Sequence, residues 1–222
     1  MNPSRSRSNG REIPALEMAV MLMKPCFATA LRAASEPPAR TASQRPYLMR
    51  SAARPIECVP AAQAVTVFSH GPWKPYFDNP KEARRSDKFT QFALAAAHEA
   101  LEQAGDLSAD PARIGCWVGT GVGGIQTLVS QERNYIDNGL RRLSPFAITM
   151  IMPNGAAGMI AIDFGIHGPS NTVATACASG NDAIGHAFRS IRYGELDAIL
   201  CGGTEAIISH VAVGGFERAG AT

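Results

Sequence analysis

The sequence predicts an α/β protein in which helices cover a β-sheet. Two apolar runs, RIGCWVG and LDAILCGG, have the composition of strands that are buried on both faces, as in parallel sheets. Long segments between these runs repeat apolar residues at helical spacing. A strand, a helix and a second strand follow one another around Cys177, and this order indicates a parallel βαβ unit with a right-handed crossover.

The composition fits a globular protein and excludes several functional classes. Apolar residues make up 45% of the 222 residues and charged residues 18%, which is enough apolar material for a sizeable core. A net charge of +2 favours neither nucleic acid nor a membrane surface as a partner. The five cysteines contain no CxxC pair, which indicates reduced thiols and a cytoplasmic location. No apolar run is long enough for a transmembrane helix.

The first third of the chain differs from the rest. Residues 1–76 hold ten Lys and Arg against four Asp and Glu, and ten of the fifteen prolines, without a sustained apolar period. Three interpretations are open for residues 1–75: a disordered tail, an Arg-rich transit peptide that would give an organellar location, or translation in a shifted reading frame. We therefore divide the chain into residues 1–75 and a folded domain at 76–222.

The folded domain is predicted to begin with helices. Asn79 and Pro80 form a capping signal, and a longer helix is expected from about Ser86 to a stop at Gly105. His98 lies on or beside the apolar stripe of this helix and is expected to be a partly exposed helix residue, not a ligand. The stripe comprises Phe89, Phe92, Ala93, Ala96, Ala97, Ala100, Leu101 and Ala104.

A glycine-rich turn, GTGVGG, follows the first buried strand and precedes the helical segment IQTLVSQERNYIDNG. Its Gly119, Gly121 and Gly124 match the G-x-G-x-x-G pattern of dinucleotide-binding folds. The acidic residue at the expected distance, Asp137, lies in the helical segment, whereas a dinucleotide fold needs it at the end of a second strand. The alternative is a turn at which glycine lets backbone or an acyl chain approach closely.

The small-residue segment NGAAGMIAIDFG is predicted to be a helix that packs tightly, and GPSNTVATA is predicted to be the strand that leads to Cys177. A further helix follows that cysteine and ends at Gly194. Its apolar positions are Ala183, Ile184, Ala187, Phe188 and Ile191.

Cys177 is the candidate nucleophile because it lies where this strand meets this helix. Unpaired N–H groups and the helix dipole stabilise a thiolate in the first turn of a helix. The small neighbours of Cys177 leave room for a substrate carbonyl, and backbone N–H groups can face a developing oxyanion. Cys116 and Cys201 lie inside apolar strands and are expected to be buried structural cysteines. A cysteine hydrolase is a weaker alternative, because no histidine partner is placed.

Residues 76–222 resemble the β-ketoacyl-acyl-carrier-protein synthases of the thiolase-like, condensing-enzyme superfamily, in particular the type II enzymes. The resemblance is carried by PKEARRSDKFTQFALAAAHEAL, VGTGVGG, IMPNGAAGMIA, GPSNTVATACASGNDAIGHAFRSIRYGELDAILCGGTEA and VGGF. Polyketide ketosynthases usually carry Ser-Ser after Ala-Cys, whereas the residues after Cys177 here are similar to the fatty-acid branch.

The resemblance implies that Cys177 takes an acyl group from the phosphopantetheine arm of acyl carrier protein, with no bound cofactor or metal. A malonyl carrier thioester would then lose carbon dioxide and condense to a 3-oxoacyl product. The fold implied is a thiolase-like half-domain with a mixed sheet covered by helices, in a homodimer formed at the strand that leads to Cys177. The implied substrate-binding residues are Val122, Phe146, Ile148, Ala176 and Ala178.

The family's decarboxylation step uses two histidines and a lysine in its second half, and this sequence ends at Thr222, before them. His167, His186 and His210 match none of those positions and are expected to be structural or surface residues. We therefore expect the chain alone to be inactive in condensation. An inactive fragment, or a non-catalytic partner like the chain-length-factor subunits, is the alternative to an enzyme. Such partners usually replace the cysteine that stands here at position 177.

Overall fold

The computed structural model describes residues 27–33, 56–59, 77 and 80–221, and these form a five-stranded mixed sheet with helices on both faces. The strands are β1 (Phe27–Ala33), β2 (Ile56–Val59), β3 (Ile114–Gly119), β4 (Ser170–Val173) and β5 (Ala198–Gly203), in the order β2-β1-β5-β3-β4. Strands β3, β4 and β5 are parallel, and β1 runs antiparallel to both β2 and β5. The expected mixed sheet is thus confirmed.

Seven α-helices lie within the described residues. They are α1 (Pro80–Ala83), α2 (Lys88–Ala104), α3 (Ile125–Asn138), α4 (Ala147–Ile151), α5 (Gly155–Asp163), α6 (Ser179–Arg192) and α7 (His210–Arg218). Short 3₁₀ turns occupy Pro111–Arg113, Leu140–Arg142 and Ala176–Ala178. Strands β4 and β5, with α6 between them, form the predicted parallel unit, and β3 lies between the two strands. None of these helices combines the length and apolar character that crossing a bilayer requires.

The core has two parts because successive side chains of a strand point to opposite faces of the sheet. Cys116, Val118 and Leu200 face helices α2 and α5, where an alanine-rich surface lets the layers approach closely. Trp117 and Cys201 face helix α6 on the other side. Helix α6 turns Ala183, Ala187 and Ile191 to the sheet, as its spacing predicts, whereas Phe188 is exposed and lies beneath the guanidinium of Arg192.

One buried carboxylate joins the two helices that flank the glycine turn. Asp87 is the N-cap of α2, and its Oδ1 accepts the N–H of Phe89 at 3.2 Å. Its Oδ2 accepts the N–H of Thr127 at 2.9 Å and the hydroxyl of Thr127 at 2.6 Å, in the first turn of α3. Asp87 is 3% exposed, so these bonds replace water. The starts of α2 and α3 are therefore fixed relative to each other.

Two differences from the sequence prediction concern the ends of elements and the first third of the chain. The strand predicted as GPSNTVATA is shorter, because β4 ends at Val173 and the backbone then turns towards Cys177. Strands β1 and β2 lie within residues 1–75, where the sequence predicts no element, and they extend the sheet beyond β5. The other parts of residues 1–75, and the Asn79 cap, lie outside the described residues.

Candidate active site

Cys177 lies in a short turn at the carboxyl ends of the parallel strands. The turn Ala176–Ala178 connects β4 to α6, and all three of its residues are exposed. Ala176 has φ +50°, a left-handed conformation that costs an alanine about 1–2 kcal/mol. The backbone thus leaves the strand direction abruptly at Ala176. As a result the Cys177 thiol is presented to solvent, outside the core.

Ser179 closes this turn with two hydrogen bonds. Its Oγ accepts the N–H of Thr175 at 2.9 Å and donates to the carbonyl oxygen of Ala176 at 2.7 Å. The N–H of Ala178 also donates to the carbonyl of Thr175 at 3.1 Å. The Ser179 side chain is 3% exposed, so little water competes for these bonds. They hold the left-handed residue on one side of Cys177 and the first turn of α6 on the other.

Three glycines let the start of α6 lie directly on the sheet. A Cβ at Gly119 would overlap the carbonyl group of Ser179 and approach the nitrogen of Gly180 to 2.7 Å. A Cβ at Gly203 would lie 2.9 Å from the Cα of Gly180. Both distances are shorter than real Cβ atoms show. Glycine at the ends of β3 and β5 therefore sets the position of the helix that follows Cys177.

Glu205 holds the glycine turn from the end of β5. Its Oε2 accepts the N–H of Gly121 at 2.6 Å, and its Oε1 accepts the hydroxyl of Thr120 at 3.2 Å. The N–H groups of Val122 and Ala206 also donate to this carboxylate. Burial raises the pKa of Glu205 above its usual value, and these donors oppose the rise because they favour the charged form.

The nucleotide-binding interpretation fails on these hydrogen bonds. A phosphate needs free N–H groups in the turn and at the start of the following helix. Here Glu205 takes the N–H of Gly121, the Thr120 hydroxyl takes that of Gly123, and the carbonyl of Ile151 takes that of Gly124. Asp87 takes the Thr127 N–H, and both carboxylates would repel a phosphate. The geometry supports the alternative interpretation, a turn at which glycine lets other parts of the backbone approach closely.

The residues predicted to line an acyl pocket lie in the turn at Ala176–Ala178, in the glycine turn and around α4. Val122 follows Gly121, where an added Cβ would lie 3.6 Å from the Cα of Ala176, so the two turns touch. Val122 is 43% exposed and Ile148, on α4, is 70% exposed. Phe146 precedes α4, and the Arg85 guanidinium lies 4.5 Å from the centre of its ring.

The other predicted cysteines and histidines are placed as follows. Cys116 and Cys201 are buried, and burial raises the pKa of the Cys116 thiol to about 12. His98 is partly exposed, with its Nε2 2.9 Å from Oδ2 of Asp163. Three further histidines in the described part of the chain, His167, His186 and His210, are exposed. Within residues 80–221 no three His, Cys, Asp or Glu side chains are close enough together to hold a metal ion.

The sequence analysis did not identify Glu205, Ser179 or Asp87 as part of this region. Each could have been found from the sequence, since Glu205 comes two residues after a buried strand, and Ser179 comes two residues after the candidate nucleophile. Asp87 stands just before a helical stripe, as an N-cap does. Their partners are distant in sequence, however, and only the packed structure brings them together.

Two curated relatives of this chain, from different bacteria, are synthases. The 3-oxoacyl-[acyl-carrier-protein] synthase 2 of Staphylococcus aureus is 46% identical over 140 residues, covering 61% of this chain and 33% of the relative. The enzyme of the same name from Synechocystis sp. is 44% identical over 143 residues, covering 63% and 34%. The chain therefore spans about a third of the length of the curated relatives that it matches.

Solved structures with a similar fold include ketosynthases. One is a type II polyketide acyl carrier protein in complex with its ketosynthase bound to the hexaketide, with a TM-score of 0.63, 27% identity and coverage of 68% of this chain and 44% of that chain. The ishigamide ketosynthase/chain length factor has a TM-score of 0.62 and 27% identity, with coverage of 69% and 38%. These neighbours confirm the thiolase-like α/β fold.

The family assignment follows from the matched region and the fold together. Residues 59–222 match the family described as Beta-ketoacyl synthase, N-terminal domain, and this range begins within β2, earlier than the boundary expected from the sequence. It contains β3, β4, β5 and the turn that presents Cys177. The chain belongs to the β-ketoacyl synthase family, of which it carries the N-terminal domain.

Proposed function

We propose that this chain is part of a 3-oxoacyl-acyl-carrier-protein synthase of fatty acid biosynthesis, and that Cys177 is its acyl acceptor. The observation that carries the proposal is the exposed thiol on the turn between β4 and α6. Of the three cysteines at positions 116, 177 and 201, it is the only one that a substrate can reach. The names of the synthases that match this chain support the reaction class.

The first half of the reaction uses the exposed thiol that this region supplies. The Cys177 thiolate attacks the carbonyl carbon of an acyl thioester on the phosphopantetheine of acyl carrier protein. The carbon–sulfur bond to the carrier breaks, and the released sulfur takes a proton. In the second half, a malonyl carrier thioester loses carbon dioxide, and its carbanion attacks the Cys177 thioester. This step frees the cysteine and gives a 3-oxoacyl thioester that is two carbons longer.

We assign the acyl group to the space beside the Cys177 turn. Ala176 and Ala178 are small and exposed on either side of the thiol, which leaves room for a thioester carbonyl. Val122 reaches this region because its turn touches Ala176. Phe146 and Ile148 belong to the α4 segment, which the Gly124–Ile151 hydrogen bond joins to the same turn. Exposed apolar side chains at these positions suit a fatty acyl chain.

We also propose a homodimer formed at strand β4. Among the described strands β4 pairs only with β3, so its other edge offers unpaired backbone groups. Light scattering after size exclusion should give twice the mass of the chain, and a monomer would contradict the proposal.

The free thiols agree with a cytoplasmic location.

The test of the proposed function is acyl transfer to Cys177. The protein is incubated with an acyl carrier protein that bears a radiolabelled fatty acyl group, and the labelled peptide is identified by mass spectrometry. We expect label on Cys177, loss of that label in Cys177→Ala, and its retention in the control Cys201→Ala. Addition of malonyl carrier protein then tests for a 3-oxoacyl product. Absence of acyl transfer in folded protein would contradict the proposal and favour the non-catalytic alternative.

A further inference from the structure

Glu205 is a half-buried carboxylate that the proposed reaction does not use. It follows β5 at the carboxyl edge of the parallel strands, the edge where Cys177 also lies. Three of the donors to Glu205 belong to one short segment: the hydroxyl of Thr120 and the N–H groups of Gly121 and Val122. The N–H of Ala206 is a further donor. The charge of the Glu205 carboxylate is costly to bury, and its hydrogen bonds hold the turn in place.

The held turn touches the backbone next to the nucleophile. Gly121 lies next to both Glu205 and Ala176, because a Cβ built on it would be 2.9 Å from Oε2 of Glu205 and 3.6 Å from the Cα and carbonyl oxygen of Ala176. A shift of Gly121 therefore changes the shape of the space beside Ala176. The residue after Gly121 is Val122, which we assign to the acyl site.

We propose that Glu205 is a positioning residue, which fixes the turn Thr120–Val122 against Ala176 and so shapes the approach of an acyl chain to Cys177. The inference rests on the proposed function, since it takes Cys177 as the acyl acceptor. Glu205 itself touches no reacting atom. It acts through Gly121 and Val122, so its loss should affect long apolar reagents more than small ones.

Glu205→Gln is the variant that separates positioning from simple support of the fold. The carboxamide keeps the size of the side chain but has one acceptor oxygen in place of two. Its NH₂ group would then face either the N–H of Gly121 or the hydroxyl of Thr120. The Thr120 hydroxyl can accept from the NH₂ group, but the N–H groups of Gly121, Val122 and Ala206 cannot. These three donors would share a single neutral oxygen, so the hold on the turn weakens. The matched control is Glu217→Gln, at an exposed position on α7.

The readout is the ratio of two alkylation rates at the same sulfur. In each reaction the Cys177 thiolate attacks the iodine-bearing carbon, a carbon–sulfur bond forms and iodide leaves. One reagent is iodoacetamide and the other is N-dodecyl iodoacetamide, which carries a chain like that of a fatty acyl group. Because both react with the same thiolate, any change in its ionisation cancels in the ratio. Only a change in how the protein accommodates the dodecyl chain alters the ratio.

We expect Glu205→Gln to lower the ratio of the long-chain rate to the small-reagent rate by about threefold to tenfold, the effect of losing one hydrogen bond. The ratio in Glu217→Gln should equal that of the unchanged protein. An unchanged ratio in folded Glu205→Gln protein, even with a lowered unfolding midpoint, would overturn the inference and leave Glu205 a structural residue.

If circular dichroism shows that Glu205→Gln does not fold, Thr120→Val provides the second variant. It keeps the volume of Thr120 but removes the hydroxyl that donates to Glu205 and accepts the Gly123 N–H. A ratio lowered in the same direction supports the inference, and an unchanged ratio overturns it. The ratio is measurable whether or not acyl transfer occurs. Failure of the proposed function, seen as absent acyl transfer, therefore stays distinct from failure of this inference.

Discussion

Gly119→Ala should be among the most damaging single substitutions in the described residues. The added Cβ would meet three backbone atoms closer than real Cβ atoms approach, those of the Ser179 carbonyl and the Gly180 nitrogen. These atoms belong to the first turn of α6, and neither they nor β3 can avoid the Cβ by rotating a side chain. Helix α6 must therefore move away from the sheet, together with the turn that carries Cys177.

The size of the destabilisation follows from the contacts that the movement of α6 disrupts. Overpacking alone costs about 1–3 kcal/mol in a well-packed core. The same shift loosens the core cluster that contains Trp117 and Ile191 and strains the Ser179 hydrogen bonds, each of which contributes about 1 kcal/mol. We therefore expect the free energy of unfolding to fall by about 3 kcal/mol or more, a large part of the stability of a small domain.

The assay is urea unfolding followed by circular dichroism, with Gly185→Ala as the control. Gly185 lies inside α6, and a Cβ there would meet no atom within 4 Å. Alanine is a better helix former than glycine by about 1 kcal/mol, so the control should be stabilised. A loss of less than about 0.5 kcal/mol in Gly119→Ala, the size of an ordinary surface substitution, would refute the account of how α6 is positioned.

Three further outcomes are expected. Asp87→Ala should lower the free energy of unfolding by about 3 kcal/mol, because it removes an N-cap and leaves the Thr127 hydroxyl without its acceptor; a change below about 1 kcal/mol in urea unfolding would contradict this. Cys116, whose pKa is raised to about 12, should resist iodoacetamide at pH 8 until the protein unfolds, and peptide mapping that finds it labelled as fast as Cys177 would show that the core is open. The folded state binds a proton at Glu205 more tightly than the unfolded state, because burial raises the pKa of its carboxyl. Stability should accordingly fall as pH rises from the usual carboxyl pKa through the raised one, and unfolding at several pH values should show that Glu205→Gln loses this slope.

The sequence by itself determined most elements and the candidate nucleophile. Helices α2, α3 and α6 and strands β3 and β5 were predictable because apolar spacing is local and because glycines such as Gly105 and Gly194 mark the ends. Cys177 was identifiable because a strand-to-helix junction is also visible along the chain. The resemblance of the surrounding motifs gave the family, which the family match confirms.

Only the tertiary structure decided what the glycine turn is for. Its glycine pattern is that of a phosphate-binding turn. Whether the turn can bind a phosphate depends on whether its N–H groups are free. The N–H of Gly121 in the turn is bound by Glu205, from the end of β5, and the N–H of Thr127 in the helix that follows is bound by Asp87, from the start of α2. Both carboxylates are far from these donors in sequence. The structure likewise added β1 and β2 to the sheet from a segment whose composition predicts none. Periodicity is a local property, whereas strand pairing and hydrogen-bond partners depend on residues that folding alone brings together.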